Sequence, residues 1–304
     1  MIKYRPEIDG LRAFAVIPVV LFHAGFEMFK GGYVGVDVFF VISGYLITSI
    51  ILKEMELGTF SITKFYERRA RRILPALFFV MLVCLPFAWI WMMPEQLRSF
   101  SQALFAVSIF SSNILFWLKV NYFAASSELN PLLHTWSLAV EEQFYILFPL
   151  LLLFLWPLGK KKIFLILIII TFISLLISEW GSRNHPIANF YLAPARAWEL
   201  LFGALGAMSI QNKGPIKNNL LSLLGFFMLS LSIFLFDDQT PFPSVYTLVP
   251  VTGTLLIIIF SSSETLISKI LMQKQIVFLG LISYSLYLWH QPIFAFAKIR
   301  LYEP

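Results

Sequence analysis

Residues 64–91 read KFYERRARRILPALFFVMLVCLPFAWIW, a block of positive charge that runs without a break into an apolar stretch. Lys64, Arg68, Arg69, Arg71 and Arg72 crowd its start, and no charged residue follows from Ala76 to Trp91. A membrane-spanning helix needs ~20 apolar residues, and lysines and arginines collect at its cytoplasmic end. The stretch therefore reads as a transmembrane helix that begins at the inner face. Outward from it the same pattern recurs, with apolar runs at about 11–28, 33–52, 73–93, 100–118, 137–157, 163–179, 195–210, 219–236, 246–261 and 276–297. Gly31-Gly32, Gly58, Pro94, Asn130-Pro131, Gly159, Asn184 to Pro186, Lys213-Gly214-Pro215 and Asp237 to Pro243 separate them.

Composition agrees. Of 304 residues 59% are hydrophobic and 13% charged, against ~45–50% and ~25% in a soluble domain. This excludes a soluble globular protein, a disordered chain and a nucleic-acid binder. The expected fold is all-α: a polytopic integral membrane helical bundle of about ten transmembrane spans, built as one domain over residues 1–304 with no soluble domain. The 32 phenylalanines are lipid-facing bulk. Tyr33, Trp91, Tyr122, Trp180, Tyr191 and Tyr302 sit near run ends, as interfacial aromatics do. Cys84 is the only cysteine and lies inside an apolar run, so it forms no intrachain disulfide and reads as inert. The first run holds Arg12 and lacks a small-residue cleavage pattern, so it does not read as a signal peptide.

The basic stretch 53–72 belongs in the cytoplasm by the positive-inside rule. Two preceding spans then put the N-terminus, with Lys3 and Arg5, inside a cell membrane as well. The later parity stays open. If every run crosses, Lys160 to Lys162 fall outside; if 100–118 is re-entrant, they return inside.

A charge inside a bilayer costs ~2.5–3.5 kcal/mol on insertion scales and asks for a reason. Arg12 and His23 are eleven residues apart, which returns a helix to nearly the same face and separates them by ~16 Å. Arg12 reads equally as a snorkelling anchor, and His23 as a cap. Asp37, just inside the second run, is a possible partner for His23 across a short hairpin, since a carboxylate orients a histidine base. The densest polar segment is His134-Thr-Trp136-Ser137-Leu-Ala-Val-Glu141-Glu142-Gln-Phe-Tyr145. Adjacent acids diverge by ~100°, so Glu141 and Glu142 face different ways, whereas Glu141 and Tyr145 share a face. Arg196 and Glu199 have the spacing of an intrahelical ion pair. His290 lies in the last run before Pro292. No histidine pair has zinc-site spacing, and no phosphate loop, dinucleotide fingerprint or nucleophile elbow occurs; neither a metal nor a bound cofactor is expected.

Six stretches taken together resemble the acyltransferase-3 family of membrane O-acyltransferases, the O-antigen and peptidoglycan O-acetylase type. They are Tyr4-Arg-Pro-Glu-Ile-Asp9-Gly10-Leu-Arg12 with His23 completing an R-x10-H motif, Gly35 to Leu46 around Asp37 and Ser43-Gly44, and Phe65 to Pro75 with its R-x-x-R. The others are His134 to Tyr145, Ala195-Arg196-Ala-Trp198-Glu199-Leu, and Ser283-Tyr284 to Pro292. They occur in order along the whole chain. The resemblance implies transfer of an acyl group, usually acetyl, from cytoplasmic acyl-CoA to an extracytoplasmic glycan hydroxyl. It makes His23 the base, with Arg12, Asp37 and Glu141 as further catalytic candidates. Arg68, Arg69 and Arg72 become candidates for the donor's phosphates, for which the planar arginine fork is suited. Tyr145, His134, Trp136, Ser137, Arg196, Glu199 and His290 become candidates for the acceptor cavity. Many relatives continue into an extracytoplasmic SGNH hydrolase-like domain, whereas this chain ends at Pro304; a separate SGNH-type transferase, a fragment and a minimal form are the alternatives. A flippase for a lipid-linked glycan is the competing class, because buried charges would also line a transport path.

Overall fold

The computed structural model describes residues 4–120, 129–211 and 214–302; Lys3, Tyr122 and Lys213, which the sequence reading uses, lie outside them. Among the described residues every regular element is helical. The helices are α1 (Pro6–His23), α2 (Gly35–Glu56), α3 (Ile62–Trp91), α4 (Pro94–Ser108), α5 (Ser112–Val120), α6 (Thr135–Leu155) and α7 (Lys160–Asn184). They continue as α8 (Pro186–Tyr191), α9 (Ala193–Ile210), α10 (Asn219–Leu235), α11 (Leu248–Phe260), α12 (Leu266–Leu271), α13 (Lys274–Leu281) and α14 (Ser283–Tyr302).

Four helices are long and apolar enough to cross a bilayer: α2 with the turn before it, α3, α6 with the turn after it, and α7. The pair α13 and α14, bent by 63°, makes a fifth if it counts as one span. The expected ten are therefore seen as four or five by length and composition. The shortfall has local causes. Glu7, Asp9 and Arg12 load the start of α1 with charge, and α10 and α11 have only 17 and 13 residues. The 100–118 run is not one helix: Phe110 takes a left-handed φ of 53°, and the chain divides there into α4 and α5. The basic block is helical rather than looped. Ser61 caps α3 by accepting from the Lys64 amide, so the arginines occupy its first turns. Downstream, Leu77, Met81, Cys84 and Ala88 form a buried stripe at helical spacing, while Phe79, Leu82, Trp89 and Ile90 on other faces are exposed.

The chain forms two compact units, Met1–Phe60 with Leu147–Ser283, and Ser61–Ile146 with Tyr284–Pro304. In the first, α2 and α9 cross at near backbone contact. A Cβ on Gly44 would collide with the Leu200 carbonyl, and one on Gly203 with the Val41 carbonyl. Small residues allow such approach between membrane helices, where dispersion rather than water exclusion drives packing. One end of this unit gathers the start of α1, the ends of α2 and α9, and the chain after α11 around a cavity of about 720 Å³ lined by Arg5, Lys53, Gln211 and Ser263. Arg5 ties it together, donating to the Tyr45 hydroxyl at 2.9 Å and the Ile258 carbonyl at 2.8 Å. Glu56 pairs with Lys160 there, so the end of α2 and the start of α7 share one face. The other end is joined by Tyr33 donating to the Asp237 carbonyl at 3.0 Å, Asn189 to the Pro243 carbonyl at 2.7 Å, and the Val245 amide to Glu179 at 3.0 Å.

The second unit combines α3, α4, α5, the first half of α6 and α14 around a polar interior. Ser112 donates to the Thr135 carbonyl at 2.9 Å, Gln143 to Asn113 at 3.0 Å, and Tyr284 to the Ile73 carbonyl at 3.1 Å. In hydrocarbon each such group must find its partner within the protein.

These two ends define a labelling test. Cys84 is buried at 1% exposure and contributes little background. Single cysteines at Leu57, Lys161 and Ser263 should react with a membrane-impermeant maleimide from one side of the membrane, and one at Asp238 only from the other. Labelling of Leu57→Cys and Lys161→Cys from opposite sides would show the shared face to be wrong.

Candidate functional site

Helix α1 carries Arg12 and His23 on one helical rod. Arg12 lies 3.5 Å from Asp9, one turn earlier. His23, the last residue of α1, has its Nδ1 2.8 Å from the Val19 carbonyl. A carbonyl oxygen only accepts, so Nδ1 bears the proton and Nε2 carries the lone pair of the neutral ring. The backbone thus does the orienting that the sequence reading assigned to Asp37.

Asp37 is engaged elsewhere. It is fully buried, with Oδ1 3.1 Å from Arg196, and Arg196 is 3.3 Å from Glu199, the partner expected from their spacing. All three side chains have no exposure. The rings of Phe40, Phe190 and Phe242 surround the guanidinium at 5.4, 5.9 and 5.2 Å. Desolvated cation–π contacts of this kind are worth ~2 kcal/mol or more. The close α2–α9 crossing makes the triad possible, and Ser174 on α7 supports it by bridging the Pro194 carbonyl at 2.6 Å and the Trp198 amide at 3.0 Å. This is a fully buried ion cluster, so Arg196 and Glu199 face each other and Asp37 rather than an open cavity, and Asp37 meets Arg196 instead of His23.

In the second unit the structure brings together residues that the sequence reading divided between donor and acceptor. Arg69 stacks on the Tyr145 ring at 5.6 Å, and Tyr145 donates to Glu141. Arg68 and Arg72 are exposed on the same helix, and Arg71 pairs with Glu67 at 2.8 Å. Glu142 is buried at 6% exposure, and its Oε1 has no hydrogen-bond partner among the described residues. Further along, His134, Ser137 and His290 are buried together, with Trp136 buried in the first turn of α6. The two imidazoles lie edge to face at 5.2 Å.

Several residues of this interior escaped the sequence reading. Tyr287 connects the histidines, and its i, i+3 spacing to Tyr284 and His290 was a usable signal. Asn130 forms a turn by accepting from the Leu132 amide at 3.0 Å, and it reaches Ser99 at 3.4 Å on α4. No pattern in the sequence joins those two.

The fold and site together define a helical membrane protein with two buried polar centres, one in each unit. The family described as an acyltransferase domain, acyltransferase-3, matches residues 5–303, and the chain belongs to it. It is 34% identical to the O-acetyltransferase OatA of Staphylococcus aureus over 97% of this chain and 51% of that protein. It is 36% identical to the peptidoglycan O-acetyltransferase OatA of Listeria monocytogenes, over 96% of this chain and 49% of that protein. The chain thus spans about half the length of these curated relatives. No solved structure matches.

Removing the cation from the buried triad leaves two unpaired carboxylates. Arg196→Met should therefore destabilise the folded protein by ~3–5 kcal/mol, the cost of breaking a buried ion pair. Asp37→Asn, which leaves Glu199 beside Arg196, should cost less. Thermal melting of the two variants in detergent orders them; equal melting temperatures would show that the triad does not hold α2 to α9.

Proposed function

We propose that the chain is an O-acyltransferase of the cell membrane, moving an acetyl group from acyl-CoA on the cytoplasmic side to a glycan hydroxyl, in peptidoglycan, on the opposite side. The observation that carries this reading is the tautomer of His23. A sugar hydroxyl is a weak nucleophile at neutral pH, and an imidazole whose Nε2 holds the lone pair can take its proton as the ester bond forms. Arg12, ~16 Å along the same helix, suits the donor's phosphate or the developing oxyanion. Arg68 and Arg72, exposed at the start of α3, suit donor phosphates. Arg69 is held on Tyr145 and better serves to fix the Glu141–Tyr145 pair. The relatives named O-acetyltransferase support the transferred group, and the one named for peptidoglycan supports the acceptor.

The topology we infer has nine crossings from ten apolar runs. The end of α2 and the start of α7 share a face, so an even number of crossings separates them. Three runs lie between, and α4 with α5 is the broken one. This returns Lys160 to Lys162 to the cytoplasmic side with the arginines of α3 and with the N-terminus. We read residues 1–304 as one acyltransferase domain that works with an extracytoplasmic SGNH-type transferase on the acceptor side.

The test uses membranes, radiolabelled acetyl-CoA and peptidoglycan fragments. Wild type should place acetyl on the glycan, whereas movement of unmodified glycan would mark a flippase. His23→Gln can hydrogen-bond but cannot take up a proton at neutral pH, and should lose ~10²-fold or more of the transfer rate at matched protein level. Near-complete transfer by His23→Gln would move the base elsewhere. Replacing Arg68 and Arg72 together with Lys keeps the charge but loses the fork; the apparent affinity for acetyl-CoA should weaken, and an unchanged titration would reduce both arginines to anchors.

A further inference from the structure

If the acetyl group crosses from a thioester on one side to an alcohol on the other, a proton has to be accounted for. The C–S bond of the donor and the O–H bond of the acceptor break, and a C–O bond and an S–H bond form. The proton starts on the acceptor side and ends on the thiol at the donor side. Without an inward proton path, each turnover would move one positive charge outward, as acylium, and leave acid outside. With such a path the exchange of acylium for proton is electroneutral.

The second unit holds two groups of proton-exchanging side chains that the transfer chemistry at His23 does not use, one around Tyr287 and one around Glu141 and Glu142. On and just before α6 they are His134, Ser137, Glu141 and Tyr145, spaced by three, four and four residues, hence on one helical stripe. On α14 they are Tyr284, Tyr287 and His290, three apart. The two stripes meet. The Tyr287 and Ser137 hydroxyls both reach the His134 carbonyl, at 2.9 and 3.2 Å, and lie 2.6 Å from each other in a shared hydrogen bond. The Tyr287 ring lies 5.2 Å from His134 and 5.3 Å from His290. Nearer the arginines, Tyr284 donates to the Ile73 carbonyl on α3 at 3.1 Å. His290 Nδ1 is 2.6 Å from the Tyr287 carbonyl, so this nitrogen holds the proton and Nε2 is the accepting one. Glu142 is the buried carboxylate at the arginine end, and its Oε1 has no hydrogen-bond partner among the described residues. From His134 to Tyr145 the α6 stripe covers ~16 Å, about half a hydrocarbon core. Ionisable groups inside a membrane segment mark relays of this kind. Arg69, over the Tyr145 ring at 5.6 Å, is the cation whose contact with these groups is direct.

We propose that His134 and His290, joined through Tyr287 and Ser137, and Glu142 further along the same stripes form an inward proton path that makes transmembrane acetyl transfer electroneutral. Tyr287 is a positioning residue: it sets the His134 turn against His290. This inference rests on the transfer reading above.

The test is made with the full chain in proteoliposomes, with acetyl-CoA on the side of the α3 arginines and an SGNH-type transferase with peptidoglycan fragments on the other. Acetylated glycan is counted, and an impermeant pH dye reads the weakly buffered acceptor side. Wild type should transfer acetyl without releasing acid there, and an imposed potassium–valinomycin potential should not change the rate. His290→Gln and Glu142→Gln should each slow transfer ~10-fold or more. Their residual turnover should release one proton per acetyl on the acceptor side and become sensitive to the potential. Tyr287→Phe keeps the ring and loses only the hydroxyl, so it should show a milder form of the same acid release at normal protein level; a purely structural role would slow transfer without acid release. One proton per acetyl released by wild type would overturn the proposal, as would full-rate transfer without acid release in both Gln variants. Transfer that requires both substrates in one compartment would overturn the transmembrane reading, and the need for a path with it. A wild type with no transfer at all would refute the enzymatic reading instead.

Discussion

Arg196 carries a full charge with no contact to water, and much of the first unit is arranged around that fact. Its guanidinium is neutralised by Asp37 from α2 and Glu199 from its own helix, and three phenylalanine rings close over it. Such a charge is tolerable in a low-dielectric interior only when its partners are held at contact distance. The requirement explains the glycines. Gly44 and Gly203 let α2 and α9 approach until backbone meets backbone, and that approach brings Asp37 to Arg196.

The same demand, that polar groups in hydrocarbon find partners inside the protein, organises both histidine sites. Each ring has Nδ1 on a carbonyl of its own helix, Val19 for His23 and Tyr287 for His290. The backbone therefore selects the tautomer, and no carboxylate is needed for it.

Much of this was legible in the linear sequence. Apolar runs with basic flanks announce membrane helices because lipid leaves so few alternatives. Charges within those runs announce a site because each is costly there. Arg12, His23, Asp37, Glu141 and Arg196 all stood out for that reason. The i, i+3 spacing of Arg196 and Glu199 made their ion pair readable, since a helix fixes which neighbours touch.

Contacts between helices were not readable in this way. Periodicity reports which residues share a face, but not which face of another helix it meets. Asp37 could therefore be assigned to His23 when it belongs to Arg196, and Tyr287 escaped notice because its partners lie 150 and 153 residues away. Charge counting left the side of Lys160 open, whereas the ion pair with Glu56 sets the start of α7 beside the end of α2. The sequence by itself determined an all-helical membrane chain and its list of costly polar residues, because hydrophobic burial and helical spacing are local properties. The tertiary structure decided which of those residues neutralise one another and which carbonyl orients each histidine, because electrostatic pairing depends on distances of 3 Å or so that only helix packing can set.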